Sequence, residues 1–266
     1  MAYLQSETEW AELARYLTED YVGPIGLDSE FEGVNFAEGD SCVNKADITV
    51  WSLAALGSIL DPRGFLRASG AVLPRAALDF RPITQILTSQ RRKVLHNSNV
   101  DVHAFYNAGV DLDGVVNSLS LARWTLPGRL TYGLDDLGVD VLGHGKTESF
   151  ADLFRYPNII QVQKQKKVKR CSCQSEGCRL RKARYVPDLD IFVEHSKYES
   201  VEVETVDKHD GWGFVSQYSV IAEGDKHPLW KRYIAYAQRD AVLAVELYDY
   251  LMRQTTLTEV PWYENQ

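Results

Sequence analysis

The sequence predicts an α/β fold in which a mixed sheet is flanked by helices. Segments rich in apolar and β-branched residues, typical of buried strands, alternate with segments whose apolar residues recur at helical spacing. The chain has 266 residues, 45% of them hydrophobic and 25% charged, which is ordinary for a globular protein. We therefore expect a single domain, residues 1–266, that carries one large insertion at about 156–228.

The first part of the chain predicts one helix followed by three strands. A capping box at residues 6–9 begins a helix that we expect to end near Leu17. The apolar run that ends at Asp28 predicts the first core strand. Residues 46–56 and 64–68 predict two further strands joined by a turn, so the three strands should form a meander.

The rest of the chain predicts alternating helices and short strands. Pro228 begins the longest helix, at a position where proline fits the first turn. Between 156 and 226 the regular pattern is lost, and we interpret this stretch as the insertion. The expected elements are a helix at 80–92, a strand at 93–97, a helix at 100–108, a fifth strand leading into a helix at 115–124, and helices at 134–142 and 229–253.

Acidic residues stand at the edges of three of these elements. Asp28 and Glu30 end the first strand on one face, with Cα atoms about 6.6 Å apart. Asp101 begins a helix, and Asp240 follows Tyr236 by one turn of the last helix. Carboxylates are costly to bury together unless a cation lies between them, and Mg²⁺ prefers oxygen ligands. The sequence therefore predicts a metal site.

The motifs that carry these acids resemble those of a known family. In order and in element type they are similar to the three motifs of DnaQ-like (DEDD) 3′→5′ exonucleases of the tyrosine-containing subgroup: Asp28-x-Glu30, Asn97-x-x-x-Asp101 and Tyr236-x-x-x-Asp240. The proofreading module of phage-type family-A DNA polymerases is the most similar member. The resemblance implies a ribonuclease-H-like, mixed five-stranded sheet and two bound Mg²⁺ or Mn²⁺ ions.

The resemblance also implies a role for each site residue. Asp28 would bridge both ions, Glu30 and Asp240 would hold the ion that activates water, and Asp101 would hold the other. Tyr236 would orient the attacking water. The implied activity is hydrolysis of phosphodiester bonds from a single-stranded DNA 3′ end. Because no polymerase segment follows, we expect a free-standing enzyme, and proofreading for a separate DNA polymerase is one form of this function.

Two other functions fit the same residues. An RNase-D-like 3′→5′ exoribonuclease would have the same active site, since discrimination between RNA and DNA depends on contacts to the sugar 2′ position. A non-catalytic nucleic-acid-binding module on the same fold is disfavoured by the intact set of acids. Phe31, Asn97 and Phe105 lie close to the acids in sequence and are candidates to contact the terminal nucleotides, although Phe31 and Phe105 fit the core equally well.

One segment is strongly basic although the chain has a net charge of −8. Residues 161–184 contain nine Lys or Arg and one acid, which makes the segment +8 and the remainder −16. We expect it to grip phosphates through Lys164, Lys166, Lys167, Lys169 and Arg170. The alternatives are a solubilising loop and a docking arm for a separate polymerase.

The same segment contains three closely spaced cysteines. Cys171, Cys173 and Cys178 offer three soft ligands, whereas structural zinc takes four. His195 is our first choice for the fourth ligand; the others are His144, His209 and Cys42. Zinc binding and three free thiols are both open interpretations.

Three further features of the sequence concern a glycine-rich turn, a supporting contact and the location of the protein. Residues 143–147 (Gly-His-Gly-Lys-Thr) lack the spacing of a phosphate-binding loop and are interpreted as a helix C-cap. Asn117-Ser118 departs from the Asp-Thr of many relatives, which puts one supporting contact in doubt.

No apolar run approaches the ~18 residues of a membrane span, and the first residues do not form a signal peptide. We expect a cytoplasmic protein, in the host cytoplasm if it is phage-encoded, with no membrane partner.

Overall fold

The chain divides into two compact units. One consists of Met1–Phe154 with Val215–Gln266, and the other of Arg155–Phe214. Residues 215–228, which we expected within the insertion, are thus grouped with the first unit. The structure, a computed structural model, describes residues 2–33, 45–60, 64, 66–146, 148–171, 184–186, 191–193 and 197–255.

The first unit contains a mixed sheet. Its strands are β1 (Ala2–Tyr3), β2 (Ile25–Glu32), β3 (Asp47–Leu60), β4 (Leu66–Pro74), β5 (Lys93–Leu95) and β6 (Val115–Asn117), in the spatial order β1-β4-β3-β2-β5-β6. Strands β2, β3 and β4 form an antiparallel meander, while β5 and β6 run parallel to β2. Strands β2 to β6 form the predicted mixed five-stranded sheet, and β2, β3 and β4 form the predicted meander. The two-residue strand β1 pairs with β4 and is an addition to the prediction.

Helices lie before, between and after the strands. They are α1 (Glu7–Arg15), α2 (Arg81–Leu87), α3 (Asn99–Asn107), α4 (Ser118–Thr125), α5 (Leu134–Leu137), α6 (Phe150–Phe154), α7 (Gln217–Glu223) and α8 (Trp230–Gln254). The capping box is confirmed, since the Glu9 amide donates to Ser6 Oγ at 3.3 Å and the Ser6 amide donates to the Glu9 carboxylate at 2.9 Å. Within the described residues, no helix combines the length and the apolar character that crossing a membrane requires.

The alternation of side chains along β2 divides the core between the two faces of the sheet. Ile25 and Leu27 are fully buried in the cluster that contains Trp51 and residues of α1, α2 and α3. The intervening residues, Gly26 and Asp28, therefore project toward the opposite face. There α8 packs against β2, β3 and β4.

Small residues on three neighbouring strands let α8 approach the sheet closely. Gly26 of β2 pairs with Ala54 of β3, which pairs with Gly70 of β4, so the three form one row across the sheet. A Cβ atom on Gly26 would lie 2.1 Å from the backbone oxygen of Ala241, and one on Gly70 would lie 2.9 Å from Gln238 Cγ. The helix thus contacts the strand backbone directly at Gly26.

The second unit contains two antiparallel pairs of strands. Strand β7 (Arg155–Cys171) pairs with β10 (Lys197–Phe214), and the short strands β8 (Arg184–Val186) and β9 (Ile191–Val193) pair with each other. The sequence pattern did not reveal these strands. Where the side chains of β7 and β10 are described, they are exposed or half-buried, so an apolar period could not reveal the strands.

The close contact at Gly26 can be tested by adding one methyl group. We expect Gly26→Ala to lower the free energy of unfolding by about 3 kcal/mol, because a rigid backbone oxygen occupies the space of the new Cβ. The measurement is urea unfolding followed by circular dichroism.

Gly133→Ala is the matched control. Its Cβ would lie 3.2 Å from Asp136 Oδ2, which ends a flexible side chain, and we expect a change of less than about 1 kcal/mol. Equal stability of the two variants would contradict the proposed packing of α8 on β2.

Candidate active site

Three carboxylates from two elements converge on the α8 face of the sheet. Carboxylate oxygens of Asp28, Glu30 and Asp240 all lie within 4.8 Å of one another. The pairing of β2 with β3 shifts register directly after Glu30, and such irregularities bend a strand and redirect its side chains. Asp240 precedes Ala241, whose backbone touches Gly26, so the close packing of α8 sets its distance from the β2 acids.

A fourth acid, Asp101, approaches the same cleft from α3. Its Oδ1 accepts hydrogen bonds from the Ser29 amide at 3.1 Å and from Ser29 Oγ at 2.7 Å. The turn that leads from β5 into α3 contains Asn97 in the left-handed region, with a φ of 58°. Asn tolerates this conformation better than most residues, so this position is suited to the sharp turn that precedes Asp101.

Tyr236 lies one turn before Asp240 on α8 and is 9% exposed. Its ring centroid is 6.5 Å from that of Phe150. Burial, followed by the charges of Glu30, Asp240 and Asp28, raises the pKa of Tyr236 far above its usual value. The phenol therefore keeps its proton at neutral pH and can donate a hydrogen bond.

These residues line one cleft of about 330 Å³ in the first unit. Both Phe31 and Asn97 lie on its wall, next to the acids. The remaining wall comes from residues that the sequence analysis did not select: Ser29, His96, Val100, Phe150 and Gln217.

The prediction that Phe105 contacts a nucleotide is wrong. Its side chain is fully buried, and its ring centroid is 6.0 Å from that of Trp51 in the core. One turn beyond Asp101, α3 has left the cleft and packs over the sheet. The sequence could not distinguish the two environments, because an aromatic residue one turn after a cleft residue suits either one.

The other predicted nucleic-acid and zinc residues belong to the second unit. Residues Lys164 to Arg170 lie on β7, and Cys171 ends that strand. Cys173, Cys178 and His195 lie outside the described residues, so the zinc site stays a prediction. His144, one of the alternative ligands, instead contacts Arg67 and Arg239 in the first unit.

Burial and mutual repulsion perturb the acids strongly. Burial is the largest cause, and the neighbouring carboxylates add to it, in raising the pKa values of Asp28 and Glu30 well above their usual range. Burial also raises the pKa of Asp101 to about 6, although its bonds from Ser29 oppose the shift. The metal-free cluster is therefore electrostatically strained at neutral pH.

The arrangement fits a hard divalent cation. All the converging donors are carboxylate oxygens, which suit Mg²⁺ and Mn²⁺. Asp240 Oδ1 is buried without a hydrogen-bond partner among the residues that the structure describes, which is costly unless a ligand binds it. Asp28, Glu30 and Asp240 thus have the chemistry and the proximity of a metal site.

Two neighbouring polar groups stabilise the cleft wall. Asn117 Oδ1 accepts hydrogen bonds from the amides of Asn97 at 3.2 Å and Leu119 at 3.1 Å. Gln217 is buried, and its side-chain amide donates to the Phe31 carbonyl at 3.1 Å while its Oε1 accepts from Tyr233 at 2.8 Å. The departure at Asn117-Ser118 therefore retains a supporting contact to the cleft.

Lys146 is the site residue that the sequence analysis missed most completely. Its Nζ lies 2.5 Å from Asp240 Oδ2 and 5.4 Å from the ring centroid of Tyr236. The interpretation of this segment as a helix C-cap is confirmed, since Gly143 ends a π-helical turn (Gly138–Leu142) in the left-handed conformation. No local pattern reveals the contact, because its partner is 94 residues away in sequence.

Comparisons with known proteins give distant structural likenesses. One is the POL domain of Pol1 from M. smegmatis in complex with DNA primer-template and dNTP, at 21% identity and a TM-score of 0.41, covering 55% of this chain and 23% of that chain. Another is Escherichia coli RNase D, an exoribonuclease involved in structured RNA processing, at 18% identity and a TM-score of 0.40, covering 57% and 36%. A third is the EXD2 exonuclease domain soaked in Mn and GMP, at 18% identity and a TM-score of 0.32, covering 55% and 72%.

This chain therefore spans about a quarter of the Pol1 chain and about a third of the RNase D chain. No protein-family model and no curated protein matches the sequence.

The electrostatic strain predicts a stabilising substitution. The pKa of Asp28 is higher in the folded protein than in the unfolded chain. Above the pKa of the unfolded chain, the folded protein therefore retains a proton that the unfolded chain has lost. The free energy of unfolding consequently falls as the pH rises through this range. We expect Asp28→Asn to raise the free energy of unfolding by at least about 1.4 kcal/mol at pH 8 in EDTA, with a smaller effect near pH 4. Urea titrations at the two pH values measure this difference.

Asp79→Asn is the control, because its carboxylate is 77% exposed. We expect this change to stay within about 0.5 kcal/mol at both pH values. A destabilised Asp28→Asn variant at pH 8 would show that the acids do not repel one another as the structure indicates.

Proposed function

We propose that the protein is a metal-dependent 3′→5′ exonuclease that releases nucleotides from the 3′ end of DNA. The observation that carries the proposal is the convergence of Asp28, Glu30 and Asp240 within 4.8 Å. Asp101 and Tyr236 line the same cleft. These five residues come from the three motifs that resemble those of DnaQ-like exonucleases, so their geometry supports the function that the resemblance implies.

The acids would hold two Mg²⁺ or Mn²⁺ ions. Glu30 and Asp240 would hold one ion, Asp101 would hold the other, and Asp28 would bridge both. When bound, such ions lower the pKa of the attacking water and stabilise negative charge on the departing 3′ oxygen. Asp240 Oδ1 suits this role, because it is buried and has no hydrogen-bond partner within the described residues.

The chain's own groups orient the reactants. Because its pKa is raised, Tyr236 acts as a neutral donor that positions the attacking water and does not act as a general base. Phe31 and Asn97 lie on the cleft wall, where they can contact the terminal base and sugar. A cleft of about 330 Å³ suits one nucleotide, which agrees with removal of residues one at a time.

DNA is the proposed substrate because the sequence resembles family-A proofreading modules. Proofreading for a separate polymerase is the form of the function that we propose. The sugar decides between DNA and RNA, so the assay should compare DNA and RNA strands of one sequence and one 3′ label. Faster release from DNA supports the proposal, and faster release from RNA would make the protein an exoribonuclease.

Substitution of the metal-binding acids tests the reaction itself. We expect Asp28→Asn and Asp240→Asn each to reduce nucleotide release from labelled DNA at least about a thousandfold in Mg²⁺ or Mn²⁺. Asp79→Asn should retain full activity. If either active-site variant keeps activity within about tenfold, a loss below about 1.4 kcal/mol, the two-metal assignment is wrong.

We also propose that the basic part of β7 binds phosphates of the DNA strand. The pairing of β7 with β10 places basic positions opposite acidic ones. This supports weaker binding of phosphates than the run of basic residues in the sequence predicts. Over Arg155–Phe214 the charge is +3, from twelve Lys or Arg and nine Asp or Glu. The opposed Cα positions are Lys164 with Glu204, Lys166 with Glu202, and Lys169 with Glu199.

A salt titration tests this role. We expect the Lys166→Gln, Lys167→Gln, Lys169→Gln, Arg170→Gln variant to flatten the dependence of DNA affinity on salt by about two to three units. It should raise KM more than it lowers kcat, because these groups bind substrate and transition state alike.

The opposed acids supply the matched control. The Glu199→Gln, Glu202→Gln, Glu204→Gln variant changes the same ribbon in the opposite electrostatic sense and should bind DNA more tightly. An unchanged salt slope in the basic variant would assign the segment to a partner-docking role.

A further inference from the structure

A lysine occupies the cation position beside the acid cluster. Lys146 Nζ contacts Asp240 Oδ2 at 2.5 Å, and the two side chains are only 23% and 9% exposed. The ammonium group of Lys146 thus faces the acids that would hold metal.

Contacts on both sides of Lys146 fix its backbone. Its amide donates to Asp135 Oδ1 at 2.6 Å, and Arg239 Nε donates to the Gly145 carbonyl at 3.0 Å. A Cβ on Gly145 would lie 2.1 Å from Asp135 Oδ1, so a larger residue here would displace the carboxylate that accepts a hydrogen bond from the Lys146 amide. Arg239 directly precedes Asp240 on α8. The segment that contains Gly145 and Lys146 is therefore hydrogen-bonded to the helix that carries Asp240.

The two oxygens of Asp240 have different surroundings. Oδ2 contacts Lys146, whereas Oδ1 is buried without a partner in the described part of the chain. A single ammonium group therefore neutralises one edge of the carboxylate and leaves the other edge for metal. Divalent ions at the cluster would repel the ammonium group, which lies on a flexible side chain. The nearest new anion would be the phosphate of the bound strand.

We propose that Lys146 neutralises Asp240 in the metal-free protein and, once metal and DNA are bound, transfers its contact to a non-bridging oxygen of the scissile phosphate. This inference rests on the proposed exonuclease function. It makes Lys146 a competitor of metal for Asp240 and a binding group for the substrate. A purely structural salt bridge would do neither, so the two roles predict opposite effects of one substitution.

The test uses Lys146→Met, which keeps the length of the side chain and removes its charge. In Mn²⁺ titrations without DNA, followed by calorimetry, we expect this variant to bind Mn²⁺ at least about threefold more tightly than wild type, because the competing cation is gone. In nucleotide-release assays we expect kcat/KM to fall about a hundredfold, the effect of losing one donor to a reacting oxyanion. Tighter metal binding with slower turnover is the signature of the proposal.

Two further variants keep the test interpretable. Lys231→Met removes an exposed lysine from the same helix as Asp240 and should change neither measurement. Lys146→Arg keeps the charge, so it should bind Mn²⁺ as wild type does and retain more activity than Lys146→Met. It also serves if Lys146→Met fails to fold.

Defined outcomes overturn the inference. Unchanged or weaker Mn²⁺ binding by Lys146→Met does so, and so does a kcat/KM within threefold of wild type. Failure of the proposed function gives a different result, since wild type would then release no nucleotides while the Mn²⁺ titrations still report on the contact with Asp240.

Discussion

The direct contact between α8 and the backbone of β2 is the constraint on which the site depends. Gly26, Ala54 and Gly70 form a row of small residues across three strands, and α8 lies over it. Asp240 and Asp28 are close because Ala241 touches Gly26. A larger side chain in this row would move α8 outward. Asp240 would then lie farther from Asp28 and Glu30, although none of these acids had been substituted.

The short distances between the acids also make the cluster electrostatically unfavourable. Carboxylates within 4.8 Å of one another repel, and burial raises the pKa values of Asp28 and Glu30. The fold relieves part of this cost with its own groups, since Lys146 neutralises Asp240 and Ser29 donates two hydrogen bonds to Asp101. What is left is excess negative charge in the cleft, so the electrostatic strain among the acids and the suitability of the site for a cation have one origin.

The sequence predicted the sheet and the acids well because both leave local patterns. Core strands are apolar runs, and an acid at the end of such a run is conspicuous, as at Asp28. Features that depend on distant partners leave no such pattern. Lys146 and Asp240 are 94 residues apart, and Gln217 becomes a cleft residue only through bonds to Phe31 and Tyr233. The position of Phe105 in the sequence, one turn after Asp101, was compatible with contact to a nucleotide. Its ring instead packs against Trp51 in the core.

The ribbon formed by β7 and β10 shows why charge along a sequence differs from charge in a structure. Residues 161–184 alone carry +8, yet acids of β10 stand opposite basic positions of β7, and the unit as a whole carries +3. Attraction between opposite charges on paired strands can stabilise a ribbon that has little apolar surface to bury. In the proposed function, the basic positions of β7 would have two potential partners, the opposing acidic positions and a phosphate backbone, and each phosphate contact would compete with a cross-strand one. In the proposed function, such competition would favour weak, salt-sensitive binding, which would suit a strand that advances as its end is removed.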